Sequence, residues 1–255
     1  MTKRNRSTVA DNRAEKKQAT GRVIKEKFID ERNNPPPILA KTQKQKEYLK
    51  ALVDPNIRVV IVLGFHGTGK TWCSSAVAAD AFRKGEVDQI IVTRPYVQTG
   101  RTSGFKPGTS LEKMYPYVRN CLDTIKSRIG HGAYENALKD GLTGQIVVQE
   151  IESIRGRSFD NDCFVLCDEM QQSLPEEMQS VVTRISDRAK LILMGDVRQK
   201  DIRGESGLEW FLSFVKRHNI PGVAIIDFDE VDDIVRGGFV RDIAIGLMKD
   251  NGGKV

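Results

Sequence analysis

The sequence predicts one doubly wound α/β domain with a mostly parallel sheet, preceded by a basic, largely disordered N-terminal arm. Three observations carry this. Six short runs rich in β-branched and apolar residues (58–63, 89–93, 145–149, 163–167, 190–194 and 223–228) are mainly continuous in apolarity rather than alternating, as strands buried on both faces are. Helix-length stretches at 70–84, 110–129, 175–186 and 207–218 lie between most of them, with another at 231–249 after the last. A chain of 255 residues with 39% hydrophobic and 29% charged residues has the composition of an ordinary folded domain.

The start of the domain is set by Asn33-Asn34-Pro35-Pro36-Pro37, since consecutive prolines force extended backbone. Residues 1–34 hold ten basic and five acidic side chains, +5 of the chain's net +6, which leaves +1 for the other 221. Such a basic, apolar-poor segment buries too little surface to offset its ordering entropy. The division is therefore an arm and Pro-rich linker over 1–37 and a folded domain over 38–255. The arm has two readings: contact with nucleic-acid phosphate, or a solubilising or partner-docking tail. No run approaches the ~18–20 apolar residues that span a bilayer, and the polar N-terminus has no apolar signal core. Cys73, Cys121, Cys163 and Cys167 are too few and scattered for a disulfide scaffold, and Cys163 and Cys167 read as buried thiols rather than zinc ligands. The expectation is a soluble cytoplasmic protein with no membrane partner.

The first strand runs into Gly64-Phe65-His66-Gly67-Thr68-Gly69-Lys70-Thr71, which fits G-x-x-x-x-G-K-[ST] and opens a helix. Glycines let the backbone N–H groups wrap phosphates, Lys70 reaches the β and γ oxygens, and the Thr71 hydroxyl ligates Mg²⁺. His66 is read as a loop residue rather than a base. Trp72 directly follows and is counted with the nucleotide contacts, although with Trp210 it also reads as a helix-packing residue.

The strand Phe164-Val165-Leu166-Cys167 ends in Asp168-Glu169. Strand C-termini of a doubly wound sheet face the same crevice as the phosphate loop. Asp168 is therefore assigned to Mg²⁺, directly or through water, and Glu169 to orienting and deprotonating the attacking water. Glu169 favours hydrolysis over binding alone. Strand 190–194 leads into Gly195-Asp196-Val197-Arg198-Gln199, and Gln199 is the candidate γ-phosphate sensor.

Together these residues resemble the PhoH-like ATPase family of P-loop NTPases. Its single RecA-like domain is similar to the first motor domain of superfamily 1 helicases. The resemblance spans about residues 40–247. Thr42-Gln43-Lys44-Gln45-Lys46-Glu47-Tyr48 is similar to T-P-N-Q-x-x-Y, which implies an adenine-recognising role for Gln45, although Gln43 replaces the proline. Thr93-Arg94-Pro95 matches T-R-P, Gly104-Phe105-Lys106-Pro107-Gly108 resembles G-F-L-P-G, and Arg155-Gly156-Arg157 matches R-G-R. Asp168-Glu169-Met170-Gln171-Gln172 departs from D-E-A-Q-N at its Met and last Gln. Gly195-Asp196, Gln199 and Asp201 match G-D-x-x-Q-x-D, Ser206-Gly207-Leu208 matches S-G-L, and Val235-Arg236 a late V-R. The resemblance implies Mg²⁺-dependent ATP hydrolysis, a homo-oligomeric ring of six subunits, and an RNA or single-stranded nucleic-acid partner for a helicase-like motor.

An arginine against the developing γ-phosphate charge assists phosphoryl transfer and is often supplied by a neighbour. Arg236 is the first candidate by its V-R match. Arg155 and Arg157 come next, and Arg94 is assigned to a neighbouring loop or nucleic acid. In 96–108, Tyr96, Arg101, Phe105 and Lys106 interleave aromatic and basic residues, as a single-strand contact loop or a subunit-interface loop does. The rival to a motor is a nucleotide-gated switch whose ATP state controls assembly or partner binding.

Overall fold

The computed structural model describes residues 34–95, 108–139, 143–156 and 158–250, without the side chains of 110, 155, 156, 240 and 248. The arm up to residue 33 and the loop positions Tyr96, Arg101, Phe105 and Lys106 lie outside the described residues.

The first helix, α1 (Gln43–Val53), was not among the expected elements, because its sequence is mostly polar. Only Gln45, Tyr48, Ala51 and Leu52 are buried, a narrow stripe at helical spacing, and the Thr42 hydroxyl caps its N-terminus by accepting from the Gln45 N–H. Strand β1 (Val59–Gly64) then leads through the glycine loop into α2 (Lys70–Lys84), β2 (Gln89–Arg94) and α3 (Ser110–Ile129). Thr109 and Glu112 form a capping box that starts α3. A short α4 (His131–Leu138), also unexpected, follows Gly130. The chain continues through β3 (Ile146–Glu150), a 3-10 turn (Ile151–Gly156) and β4 (Cys163–Cys167).

Next come α5 (Pro175–Val182), β5 (Ala189–Gly195), α6 (Gly207–His218), β6 (Val223–Phe228) and α7 (Phe239–Asp250). Two expected helices are shorter than predicted. The stretch 175–186 stops at Val182, because Arg184 and Ile185 are drawn into a bridge with Phe159. The stretch 231–249 is split into a 3-10 turn (Val231–Asp233) and α7, with Gly237 and Gly238 between them.

The described residues form one six-stranded sheet in the order β3-β2-β4-β5-β1-β6, and every pairing is parallel rather than mostly so. Side-chain alternation sorts the core into two layers. Val60, Val62, Ile90, Val92, Ile192 and Met194 face α1 to α4. Their neighbours Ile61, Leu63, Ile91, Leu191 and Leu193 face α5 and α6. The expected buried thiols Cys163 and Cys167 are in the second layer, each 1% exposed or less. No helix among the described residues is long and apolar enough to cross a membrane.

Two polar contacts fasten helix ends. Arg128 of α3 pairs with both Asp80 carboxylate oxygens of α2, at 2.8 and 2.7 Å, and donates to the Pro36 carbonyl at 3.1 Å. At the start of β5, Lys190 Nζ donates to the carbonyls of Ala51, Leu52 and Asp54 at 3.1, 2.8 and 2.7 Å, closing the C-terminus of α1. Lys190→Ala leaves those carbonyls under-satisfied. We expect a loss of about 2 kcal/mol, or roughly 4–8 °C in melting temperature. A melting temperature within about 1 °C of the parent would remove this role.

Candidate functional site

The loops after β1, β4 and β5 emerge side by side, because β5 lies between the other two strands. They bound a cleft of about 680 Å³ at the C-terminal edge of the sheet. Its lining includes the loop residues 66–71, Trp72, Arg94, Asp168, Glu169, Asp196 and Arg236, with the Tyr117 to Thr124 side of α3 as the far wall.

The glycine loop has the geometry its sequence requires. Gly64 (φ 127°) lies against β6, where a Cβ would sit 2.4 Å from the Phe228 carbonyl oxygen. Gly69 (φ 84°) is the left-handed N-cap of α2, so the first N–H groups of α2 are left for a ligand. Lys70 Nζ donates to the carbonyls of Gly64 and Phe65, the latter at 2.8 Å. Burial pulls the Lys70 pKa down, while Asp168, Asp196 and Glu169 push it back up. Thr68 is fully buried and donates to the Phe65 carbonyl at 3.0 Å.

At the end of β4, Asp168 accepts from the Thr71 hydroxyl at 3.1 Å across 97 residues of chain. Burial, and then the neighbouring Glu169 charge, raise the Asp168 pKa, against the Thr71 bond and the charges of Arg94 and Lys70. A hydroxyl beside a buried carboxylate is a donor set that suits Mg²⁺ shared with phosphate oxygens. The residues present thus fit both a phosphate chain and Mg²⁺. Glu169 follows in a left-handed conformation (φ 55°).

The other predicted residues are placed as follows. Gln45 is 3% exposed; its Nε2 donates to the Thr68 carbonyl at 2.8 Å and its Oε1 accepts from the Lys41 N–H at 2.8 Å, so it braces the loop from behind. The Phe65 ring is buried under Arg198, whose guanidinium lies 3.5 Å from the ring centroid, leaving the Phe65 backbone toward the loop interior. His66 is exposed. Trp72 is 46% exposed at the cleft, which corrects its reading as a packing residue: it lies in the first turn of α2, facing out. Trp210 does pack, stacking on Phe214 at 5.5 Å.

Gln199 donates to the Asp196 carboxylate at 2.7 Å. Val235 and Arg236 both donate backbone N–H groups to the Gly67 carbonyl, at 3.0 and 3.3 Å, so Arg236 stands at the loop of its own chain. Arg94 donates to the Tyr117 carbonyl at 3.1 Å and lies over the Tyr117 ring at 5.4 Å, so its contact is with α3. Arg157 and the side chain of Arg155 lie outside the described residues.

Two residues around the cleft had no role assigned from sequence. Asp196 is 4% exposed and holds both Gln199 and Arg198, the latter at 2.9 Å. Gln171 is 1% exposed and donates to Glu169 at 2.6 Å. Both lie inside quoted motifs, but pattern alone does not say which side chains bond one another.

The family model described as PhoH-like protein matches residues 37–246. A PhoH-like protein of Bacillus subtilis is 34% identical over 216 residues, covering 84% of this chain and 65% of its own length. Protein PhoH of Escherichia coli K12 is 35% identical over 189 residues, covering 73% of this chain and 52% of its own. The chain thus spans a little under two thirds and about half of these relatives. Among solved structures, a Bacteroides Pif1 in complex with ADP-AlF4 overlays 83% of this chain and 46% of its own at 12% identity and a TM-score of 0.40.

Proposed function

Since this chain belongs to the PhoH-like protein family and is a P-loop NTPase, we propose that it binds ATP with Mg²⁺ on the 64–71 loop and hydrolyses it. The observation that carries this is the Thr71–Asp168 bond at 3.1 Å, which joins the loop hydroxyl to the acidic strand end. When bound, Mg²⁺ supplies neutralisation of charge shared by the β- and γ-phosphates. The N–H groups of the loop and Lys70 hold the phosphates, and Thr71 and Asp168 hold the metal. Glu169 orients the attacking water and takes its proton, and Gln199 senses the γ-phosphate. Gln45, whose amide is engaged by Thr68 and Lys41 behind the loop, is assigned to adenine by the family resemblance alone, and Trp72 to the rim of the cleft.

The same reading extends to a cytoplasmic homo-oligomeric ring, hexameric by the family resemblance, acting on RNA or single-stranded nucleic acid as a helicase-like motor. Arg236 is its first candidate for the arginine at the γ-phosphate. Its bond to the Gly67 carbonyl and its place in the cleft lining support a role at its own chain's nucleotide rather than at a neighbour's. The second reading, a nucleotide-gated assembly or partner-binding switch, is favoured by the bonds from the Val235 and Arg236 N–H groups to the Gly67 carbonyl, because they link the nucleotide loop directly to the segment that leads into α7.

Steady-state ATPase rates of the full chain separate the two, measured at several protein concentrations with and without single-stranded RNA or DNA. A motor working as a ring is expected to show a rate that rises faster than linearly with protein and increases with nucleic acid. A slow rate indifferent to nucleic acid would favour the switch, and no Mg²⁺-dependent turnover under any condition would remove the ATPase assignment.

A further inference from the structure

Gln171 and Gln172 stand in tandem just after the acid pair, and each reaches into the 196–201 segment. Gln171 is nearly fully buried; its Nε2 donates to Glu169 Oε2 at 2.6 Å and its Oε1 accepts the Asp196 N–H at 3.2 Å. Gln172 donates to the Gln199 carbonyl at 3.1 Å and to the Asp201 carboxylate at 2.9 Å, and accepts the Asp201 N–H at 3.0 Å. One glutamine therefore holds the start of the segment and the other its end. Asp196 in turn holds the Gln199 side chain, so a chain of hydrogen bonds runs from the Glu169 carboxylate through Gln171 and Asp196 to Gln199.

Two backbone features shape this path. The left-handed turn at Glu169 and the 3-10 bond from the Gln172 N–H to the Glu169 carbonyl fold Gln171 back toward the carboxylate it follows. Gly195 leaves room for the Gln171 amide, since a Cβ there would lie 2.4 Å from Gln171 Oε1.

We propose that Gln171 and Gln172 are positioning residues that latch the sensor segment 196–201 to Glu169, so that the base and Gln199 are held as one unit. This rests on the hydrolytic reading above, in which Glu169 acts on water and Gln199 on the γ-phosphate. Held from both ends, the two side chains keep one spacing across the reacting phosphate. Cutting the latch leaves both in place chemically but no longer fixed to each other. The interactions lost are ones that matter to turnover and not to holding ATP.

The test uses Gln171→Leu and Gln172→Ala in the full chain, each alone and combined with Glu169→Gln. The readouts are kcat, KM and the equilibrium affinity for a non-hydrolysable ATP analogue. Gln171→Leu is expected to lower kcat on the order of 10- to 100-fold, as loss of a residue supporting a catalytic group does. Analogue affinity should stay within about threefold. In the Glu169→Gln background it should cause no further loss, because its route of action is already cut. If Gln171→Leu does not fold, Gln172→Ala and Asp201→Asn carry the test at the more exposed end of the latch. Each is expected to lower kcat, and their combination to do no more than either alone.

An unchanged kcat in both glutamine variants, a parallel loss of analogue affinity, or a full additional loss in the Glu169→Gln background would overturn the latch. Turnover by Glu169→Gln at the parent rate would instead overturn the hydrolytic reading beneath it.

Discussion

Lys70→Ala is expected to lower kcat/KM for ATP by at least about 10²-fold, the scale seen when one preorganised positive donor is taken from a developing anion. Lys70 is the cation toward which Asp168, Asp196 and Glu169 converge, and its Nζ is anchored on the Gly64 and Phe65 carbonyls. Alanine removes that charge and leaves the Asp168 and Glu169 carboxylates lining the place a polyanion must enter. Phosphate binding therefore loses an attraction and gains a repulsion. Titration with a fluorescent ATP analogue, alongside the rate, shows whether binding fails as well as turnover. A kcat/KM within tenfold of the parent would detach the loop from the phosphates.

Glu169→Gln is expected to separate binding from chemistry. The replacement amide keeps the shape of the side chain and can still accept from Gln171 Nε2, the contact now made at 2.6 Å. The local fold should thus survive, while the ability to take a proton from water does not. We expect kcat to fall by roughly 10²- to 10⁴-fold, with analogue affinity retained within a few-fold. A rate near the parent's would place the base on another side chain of the cleft.

Much of the fold was legible because a parallel sheet writes itself as continuous apolar runs. The strand 163–167 and the helices 70–84, 110–129 and 207–218 stand where their patterns place them. What was missed had weak local signal. Helix α1 buries only a narrow stripe and owes its place to tertiary contacts: the Gln45 bond to Thr68, and Tyr48 packed edge-on to Phe228 at 6.0 Å. The shortening of 175–186 came from a long-range bridge at Ile185 that no local pattern records.

At the site, sequence supplied residue types and their order. Glycine spacing announces a phosphate cradle, and an acidic pair after an apolar strand announces the opposite wall. Sequence did not supply the partners. Asp196 as the holder of Gln199, Gln171 as the brace of Glu169, and Arg198 stacked over Phe65 are pairings across different loops, and only the folded chain brings them together.

The Arg128 clamp on Asp80 and Pro36 also fixes an attachment point. Asp80 lies ten residues along α2 from Lys70, so the clamp is about 15 Å from the phosphate loop along the helix axis. The backbone at Pro36 is therefore moored beside the C-terminal half of α2, while the glycine loop lies at that helix's first turn. Between this mooring and α1 the chain passes Lys41, which lines the cleft, so one short stretch of backbone is tied at one end to the far end of α2 and at the other to the rim of the site.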